Sequence, residues 1–263
     1  MTPPGPLPRP VPVRRVPWSR VFVKICGITS EEDALLAVAM GADALGFIFA
    51  AGSPRLMRPE HVRDITKRLP PGVVTVGVFR NERPERVVET VQRCALSGAQ
   101  LHGHEPISEV RWIRARLPFV VQAFAAGDPA LAAAANGPAD VVLIDSPAPG
   151  TGRTFDWSLA EGAPGGVRLM LAGGLNADNV AEAIRRVRPW GVDVATGVES
   201  APGRKDARKL RKFILAAREA GEEVDDAVPE SDDRPYDWEL DGDGEAGRPS
   251  EAPGDEPPRL RIV

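Results

Sequence analysis

Two side chains that can transfer a proton stand at the ends of apolar runs of strand length. Cys26 follows the run 21–25, and Asp145 follows the run 141–144. A cysteine placed there is a candidate acid, base or nucleophile, although free cysteine is also among the most buried residue types. Asp145 is a candidate general acid because an apolar setting favours the neutral carboxyl, or else a cap for the turn that begins at Ser146. The residue types indicate acid–base chemistry, and the packing and capping alternatives stay open from these segments alone.

Two turns that contain glycine predict where an anion would bind. The segments 172–176 (AGGLN) and 196–200 (TGVES) follow the seventh and eighth apolar runs of the chain. Glycines let backbone N–H groups approach an anion closely, and the N-terminus of a following helix adds positive potential. One GG turn is weak evidence, because glycine also serves ordinary turns, but two such turns at neighbouring positions favour a phosphate site. The candidate phosphate-binding residues are Gly173, Gly174, Thr196 and Gly197.

The elements that must position these groups alternate between strands and helices. Apolar runs of strand length are found at 21–26, 44–49, 73–79, 99–102, 120–124, 141–145, 168–172 and 191–196. Helical patterns follow them at 30–40, 59–69, 84–97, 107–116, 129–135, 157–161, 176–187 and 205–220. Eight strand–helix units within about 200 residues predict an α/β fold, the (βα)8 TIM barrel, in which ligands bind at the carboxyl ends of the strands. A doubly wound open sheet is the alternative, but it usually has fewer strands and a different glycine-rich first turn.

Strand alternation places further polar side chains inside the predicted barrel. If Cys26 faces the interior, so do Phe22 and Lys24, and a buried ammonium needs a counter-charge. Asp193 is the expected partner, because strand 8 lies next to strand 1 in a closed barrel. We interpret this pair as a structural salt bridge rather than a catalytic group. His102, which follows the fourth strand, would lie at the same edge as Cys26.

Composition indicates a globular protein without a membrane span or a nucleic-acid surface. The 263 residues are 43% hydrophobic and carry a net charge of −4, without a long uncharged apolar stretch. Two cysteines make no disulfide framework, and the three histidines lack the neighbours typical of a metal site. No clustered basic stripe suggests nucleic-acid binding. Residues 221–263 hold fifteen acidic residues and four arginines, so the remainder is net positive and suits an anionic small substrate.

Composition also divides the chain into three predicted segments. These are a disordered proline-rich arm at 1–20, a single barrel domain at 21–220 and a disordered acidic tail at 221–263. The arm contains seven prolines and no apolar periodicity, and the tail is rich in acidic residues, proline and glycine. Neither can bury enough apolar surface to offset the entropy of ordering it. Because the arm lacks the apolar region of a secretory signal, we expect a cytoplasmic protein.

A set of motifs in order along the chain resembles the phosphoribosylanthranilate isomerase family of tryptophan biosynthesis. The matching segments are KICGIT at 24–29, GADALGFIF at 41–49, SPR at 53–55, VGVF at 76–79, QLHG at 100–103, LID at 143–145, GTGRTFDW at 150–157, AGGLNADNV at 172–180, VDVATGVES at 192–200 and PGRKD at 202–206. They run through nearly the whole of 21–215, and the ordered set is far more specific than any single motif. The region 120–136 matches least well.

The resemblance implies a cofactor-free aldose–ketose isomerase. Its reaction is the Amadori rearrangement of N-(5-phospho-β-D-ribosyl)anthranilate to 1-(2-carboxyphenylamino)-1-deoxy-D-ribulose 5-phosphate. By motif match Cys26 is the general base, Asp145 is the general acid, and Arg55 meets the anthranilate carboxylate, while the two glycine turns bind the phosphate. The implied partner is a small phosphoribosyl substrate, with neither nucleic acid nor membrane, and the chain would be a monomer or a homodimer. The supporting residues would be Lys24, His102 and Asp193.

The proposed base must ionise to act. An ordinary thiol has a pKa of about 8.5, so only a modest lowering would provide thiolate near neutral pH. In the reaction that the resemblance implies, the furanose ring of the substrate opens to a positively charged iminium. We expect Lys24, two residues earlier on the same face, and this bound iminium to help supply that lowering.

Two other functions fit parts of the pattern. A broader sugar isomerase would also act on the related aminoaldose of histidine biosynthesis, but such barrels typically carry an aspartate base in the first strand, where this chain has Cys26. A catalytically silent phosphate-binding barrel would be expected to lack Cys26, Asp145 or Arg55, and all three are present.

Overall fold

Eight parallel strands close into a barrel. The computed structural model of the chain describes residues 20–134, 136–146, 157 and 167–226. The strands are β1 Phe22–Cys26, β2 Ala44–Ile48, β3 Val74–Phe79, β4 Gly98–Leu101, β5 Val120–Ala125, β6 Val141–Asp145, β7 Arg168–Leu171 and β8 Gly191–Val194. Each pairs with the next, and β8 pairs back with β1, so that Lys24 lies opposite Asp193. The predicted (βα)8 barrel is confirmed, and an open doubly wound sheet is excluded because the strands form a closed ring.

Helices connect the strands, and several begin where the sequence predicts. In the described part of the chain they are α1 Glu31–Ala39, α2 Pro59–Thr66, α3 Pro84–Arg93, α4 Ile107–Arg114, α5 Leu131–Ala134, α6 Val180–Val187 and α7 Ala207–Asp226. Ser30 caps α1, because its hydroxyl accepts a hydrogen bond from the Asp33 N–H at 3.1 Å. Pro59 and Pro84 occupy the first positions of α2 and α3, where a missing N–H costs nothing. None of the described helices has the length and apolar character needed to cross a membrane.

The chain after β8 departs most from the prediction. We predicted a helix at 205–220, whereas α7 starts and ends later. Ahead of it, Glu199–Ala201 (β9) and Arg204–Lys205 (β10) form a short antiparallel hairpin. The side chain of Asp206 then caps α7, because its Oδ1 accepts hydrogen bonds from the N–H groups of Arg208 at 2.9 Å and Lys209 at 3.0 Å. A capping aspartate therefore separates the hairpin from the helix, and the helical pattern alone did not show this boundary.

Several predicted segments lie wholly or partly outside the described residues. The arm, except for residue 20, and the tail from 227 onwards belong to this group. So does the predicted helix at 157–161, of which only Trp157 is described, as a buried residue of the outer core. Residues 221–226, which we assigned to the tail, are the last residues of α7.

Strand alternation divides the buried side chains into two layers. One layer fills the barrel and includes Phe22, Leu143 and Met170, while the other packs beneath the helices. Phe22 stacks on Trp190 with the ring centroids 4.4 Å apart. Since both rings lie at the amino ends of β1 and β8, they fill the bottom of the barrel with apolar surface. Polar interior groups are left to the carboxyl ends of the strands, as the alternation around Cys26 predicts.

Candidate active site

A thiol and an ammonium lie side by side at the carboxyl end of β1. Cys26 and Lys24 share the interior face, and Lys24 is 1% exposed. Its Nζ donates to Asp193 Oδ1 at 2.9 Å, across the β1–β8 pairing that closes the barrel. The counter-charge expected from strand alternation is therefore in place. On the neighbouring strand, a Cβ added to Gly46 would lie 2.7 Å from Cys26 Sγ and 3.1 Å from Lys24 Nζ, so only glycine leaves room for both groups.

Burial is the largest single influence on the pKa of both Cys26 and Lys24. Burial raises the pKa of the Cys26 thiol, and Asp193 adds to the rise, while Lys24 and Lys205 oppose it. The sequence-based expectation of a lowered thiol pKa is therefore wrong for the unliganded protein, because the cost of burying a thiolate outweighs the nearby ammonium groups. For Lys24, burial also opposes the charge, but Asp193 and Cys26 together raise its pKa, so the ion pair with Asp193 persists.

Asp145 ends β6 and is held on two sides. Its Oδ1 accepts a hydrogen bond from the Ser146 N–H at 2.6 Å, and its Oδ2 lies 3.3 Å from Nε2 of His102. That second approach is a close polar contact without hydrogen-bond geometry. His102 Nδ1 in turn lies 2.9 Å from Nε2 of Gln100, two residues earlier on the same face of β4. Sequence reasoning missed Gln100, although strand alternation from His102 indicates it.

The four predicted phosphate residues line one cavity with Asp145. The cavity has an empty volume of about 370 Å³, and its wall is formed by Asp145, Ala172, Gly173, Gly174, Leu175, Asp193, Val194, Ala195, Thr196 and Gly197. The two turns abut, because a Cβ added to Gly197 would lie 1.9 Å from the carbonyl oxygen of Leu175. Gly173 has φ +82°, and its Cβ would lie 2.4 Å from the Ser146 nitrogen. The first turn thus approaches the proposed acid to a distance that a side chain would forbid.

An asparagine that sequence reasoning missed holds the first turn. Asn179, at the start of α6, accepts a hydrogen bond from the Asn176 N–H at 2.8 Å and donates to the Gly174 carbonyl at 3.0 Å. Asparagine commonly closes such turns by bonding nearby backbone groups, and this was the available signal in AGGLNADN. The second turn differs from the prediction, because Thr196–Val198 form a short 3₁₀ helix that leads into the hairpin instead of a long helix.

Arg55 is buried at the mouth of the barrel and is already paired. Its Nε donates to Glu199 Oε1 at 2.8 Å, and its Nη2 donates to Glu199 Oε2 at 2.7 Å and to Thr196 Oγ1 at 3.2 Å. The edge of the guanidinium that would best fit a substrate carboxylate therefore holds a protein carboxylate. Nη1 is the nitrogen with no hydrogen bond to any described residue. The bonds to Glu199 raise the pKa of Arg55, so its charge is permanent. Glu199 belongs to the matching segment VDVATGVES, but sequence reasoning gave it no role.

The predicted residues form two groups, one that lines the cavity and one around Cys26, and Asp193 links them. Asp145 and Asp193 both line the cavity, and Asp193 connects it to Lys24 and Cys26. Cys26 and Arg55 are not part of the cavity wall, and Arg55 reaches it through Thr196. Within the described residues, no three His, Cys, Asp or Glu side chains are grouped so as to hold a metal ion.

These features define a class of enzyme scaffold, the closed (βα)8 barrel with a cavity lined by the turns after its last two strands. The family model for N-(5′-phosphoribosyl)anthranilate isomerase matches residues 23–216. The isomerase of that name from Trichlorobacter lovleyi is 51% identical over 207 residues, which are 76% of this chain and 99% of the relative. The crystal structure of phosphoribosyl anthranilate isomerase from Thermus thermophilus is 43% identical, with a TM-score of 0.71 over 74% of this chain and 98% of that one.

A second crystal structure of a phosphoribosyl anthranilate isomerase, in complex with reduced 1-(o-carboxyphenylamino)-1-deoxyribulose 5-phosphate, is also 43% identical. It has a TM-score of 0.67 and covers 75% of this chain and 98% of its own. The chain therefore belongs to the N-(5′-phosphoribosyl)anthranilate isomerase family and is an isomerase.

Proposed function

We propose that this protein converts N-(5-phosphoribosyl)anthranilate to 1-(2-carboxyphenylamino)-1-deoxyribulose 5-phosphate in tryptophan biosynthesis, with Cys26 as base and Asp145 as acid. The observation that carries the proposal is the placement of Asp145 in the wall of an anion cavity that is linked to Cys26 through Asp193 and Lys24. The family member that holds a reduced form of this product supports the choice of ligand.

The phosphate end of the substrate is assigned to the two abutting turns. Four glycine and threonine positions of these turns line the cavity, and backbone N–H groups in such turns bind anions without a titrating side chain. The anthranilate carboxylate is assigned to Nη1 of Arg55, because Glu199 occupies the other edge of the guanidinium. This refines the sequence-based role of Arg55: it binds through one nitrogen of a guanidinium that is already fixed.

Asp145 begins the reaction as a neutral carboxylic acid. It donates its proton to the ring oxygen of the ribose, the C1–O bond breaks, and the nitrogen lone pair forms a C=N iminium. His102, 3.3 Å from Oδ2 and held by Gln100, orients the carboxyl and shares the charge that remains on it. The bond from the Ser146 N–H to Oδ1 leaves Oδ2 as the oxygen that carries the proton.

Cys26 completes the proton transfer. The iminium acidifies the C2–H of the ribose, the thiolate removes that proton, and the electron pair of the C–H bond forms the enolamine while neutralising the iminium nitrogen. The enolamine then tautomerises to the ketone: C1 takes a proton from solvent, and the C2 hydroxyl releases one to solvent. Transfer of a proton from the Cys26 thiol to the Asp145 carboxylate through solvent restores both groups, so no atom is gained or lost. Because burial raises the pKa of Cys26, the thiolate forms only when a cation compensates it, and Lys24 and the substrate iminium supply that charge. Coupling base strength to the bound iminium restricts deprotonation to the ring-opened intermediate.

Two substitutions test the assignment. We expect Cys26→Ser and Asp145→Asn each to lower kcat by at least about 100-fold with phosphoribosylanthranilate, the usual scale of acid–base removal. Cys94→Ser is the matched control, since Cys94 is buried beneath the helices and its Sγ donates only to the Pro59 carbonyl. Near-normal turnover by either variant would remove that residue from the mechanism. Comparable turnover of the histidine-pathway aminoaldose by the unaltered protein would contradict a specificity for phosphoribosylanthranilate alone.

A further inference from the structure

A buried ion pair stands between the proposed base and the proposed carboxylate-binding arginine, and the reaction steps do not use it. Lys205 Nζ donates three hydrogen bonds, to Cys26 O at 2.6 Å, to Glu199 Oε1 at 3.0 Å and to Ala195 O at 3.2 Å. All three protons of the ammonium are thereby used, and the side chain is 0% exposed. The Cys26 carbonyl lies at the end of β1, and the Ala195 carbonyl comes directly after β8. One ammonium is therefore bonded to both of the strands that close the barrel.

Glu199 links this ammonium to Arg55. Its carboxylate accepts two hydrogen bonds from the guanidinium and one from Lys205, and its side chain is 3% exposed. Burial opposes the ionisation of Glu199, but the hydrogen bonds and charges of Arg55 and Lys205 outweigh it and lower its pKa. Burial lowers the pKa of Lys205, and Glu199 is the main group that opposes this change.

Glu199 is bonded to the side chains of both cations, and the carboxylate of the buried Asp33 accepts a hydrogen bond from the Lys205 N–H at 3.0 Å. These carboxylates leave Nη1 of Arg55 without a hydrogen-bond acceptor among the described residues. A charged guanidinium donor that is fixed in this way can bind an incoming carboxylate. The arrangement suits a carboxylate that arrives with the substrate.

We propose that Glu199 and Lys205 are positioning residues, which fix the distance and orientation between Arg55 and Cys26. This inference rests on the proposed function of the same site. Arg55 comes from the loop after β2 and Cys26 from β1, and the two are joined through Glu199 and Lys205 by three consecutive hydrogen bonds. The short β9–β10 hairpin, which lies between the 3₁₀ helix and α7, carries both linking residues. The network thus sets where the C2–H of a carboxylate-bound substrate meets the thiolate.

Substitutions of Glu199 and Lys205 should change different kinetic constants. Glu199→Gln replaces one of the two oxygens that orient Arg55 with an NH2 group and removes the negative charge, so KM for phosphoribosylanthranilate should rise by about tenfold with a smaller change in kcat. Lys205→Met releases the Cys26 carbonyl and removes a cation that favours the thiolate, so kcat should fall by about tenfold with a smaller change in KM. Misfolding alone would lower the amount of active enzyme in both variants without this split.

The experiment uses the full chain and three measurements that need no turnover. Anthranilate reports the carboxylate end, inorganic phosphate reports the turns, and the pH midpoint of iodoacetamide alkylation at the Cys26 peptide reports the thiol. Glu199→Gln should weaken anthranilate binding by about tenfold and leave phosphate binding within about twofold. Lys205→Met should raise the alkylation midpoint, and Lys205→Arg, which keeps the charge, should restore most of kcat. The matched controls are Glu219→Gln and Lys212→Met, whose side chains are exposed on α7.

Each outcome decides the inference. If anthranilate and phosphate binding change equally in Glu199→Gln, or if the alkylation midpoint of Lys205→Met equals that of Lys212→Met, the positioning role is wrong. If Lys205→Met does not fold, the kcat and the midpoint of Lys205→Arg decide between restored and lost positioning. If the unaltered protein fails to turn over phosphoribosylanthranilate while the three measurements give the expected results, the proposed function is wrong and the positioning role of Glu199 and Lys205 is supported.

Discussion

The two sides of the barrel mouth hold charge in opposite ways. Around the ends of β1 and β8, buried side chains of both signs pair with one another, as Lys24 does with Asp193 and Arg55 does with Glu199. Around the turns after β7 and β8, a cavity is lined by glycine backbone together with Asp145 and Asp193, and Asn179 holds the first turn by hydrogen bonds. In the proposed function, the first side sets the proton affinity of Cys26 and the orientation of Arg55, and the second binds the phosphate. Substitutions on the two sides should therefore change different quantities.

The largest expected effect is on the free energy of unfolding, and it concerns the buried ion pairs around the ends of β1 and β8. Lys24→Met leaves Asp193 buried without its cation, and breaking a buried pair costs about 3–5 kcal/mol of the free energy of unfolding. Urea denaturation measures the loss. The control is Lys67→Met, whose ion pair with Asp64 is exposed, so that its removal should cost less than about 1 kcal/mol. Similar losses in the two variants would show that the interior pair contributes no more than a surface pair.

The next largest effect, on stability and on KM, concerns the turns that line the cavity. Gly173→Ala forces a side chain to φ +82° and within 2.4 Å of the Ser146 nitrogen. We expect a loss of about 1–2 kcal/mol from the left-handed backbone and a rise in KM of about tenfold from the displaced turn. Gly72→Ala carries the same backbone strain at φ +89° with nothing within 4 Å. If both variants keep the KM of the unaltered protein, the turn does not shape the substrate site.

A pH experiment separates the thiol from the rest of its surroundings. Because burial raises the folded pKa of Cys26 above its ordinary value of about 8.5, its contribution to stability is complete below that pH and is lost as pH rises through the folded pKa. The free energy of unfolding should therefore fall more steeply above pH 9 than in Cys26→Ser, by up to about 1.4 kcal/mol per pH unit. Parallel curves for the two proteins would mean that the thiol ionises as readily in the fold as in the unfolded chain.

The smallest effect concerns the asparagine of the first turn. Asn179→Ala removes the bonds to Asn176 N and Gly174 O, and one such hydrogen bond contributes about 1 kcal/mol. Phosphate affinity should fall about fivefold, as measured by competitive inhibition with inorganic phosphate. Asp178→Ala is the neighbouring control, because only its backbone N–H bonds to the turn. Equal inhibition constants for the two variants would remove Asn179 from the support of the cavity.

Sequence reasoning predicted the barrel, its strands and the edge on which the polar groups meet. These features follow from apolar periodicity, and the alternation around Cys26 correctly placed Lys24 inside and paired it with Asp193. It did not predict the hairpin at Glu199–Lys205, because strands of three and two residues are too short to show an apolar alternation. It also placed the helix start at Lys205, ahead of the capping Asp206. Glu199 and Lys205 both lie in motifs that carry the family resemblance, but the spacing of these motifs gave no reason to link the two residues to Arg55.

The sequence by itself determined which groups are available: a thiol and a carboxyl that end apolar strands, and two glycine turns at neighbouring strands. The tertiary structure decided their state and their partners. Burial raised the pKa of Cys26 where the nearby lysine had suggested the opposite, since desolvation depends on every element packed around the thiol. The structure also placed Glu199 against Arg55, although the two are far apart along the chain. Residue type is a local property, whereas ionisation and hydrogen-bond partners depend on which distant segments the closed barrel brings into contact.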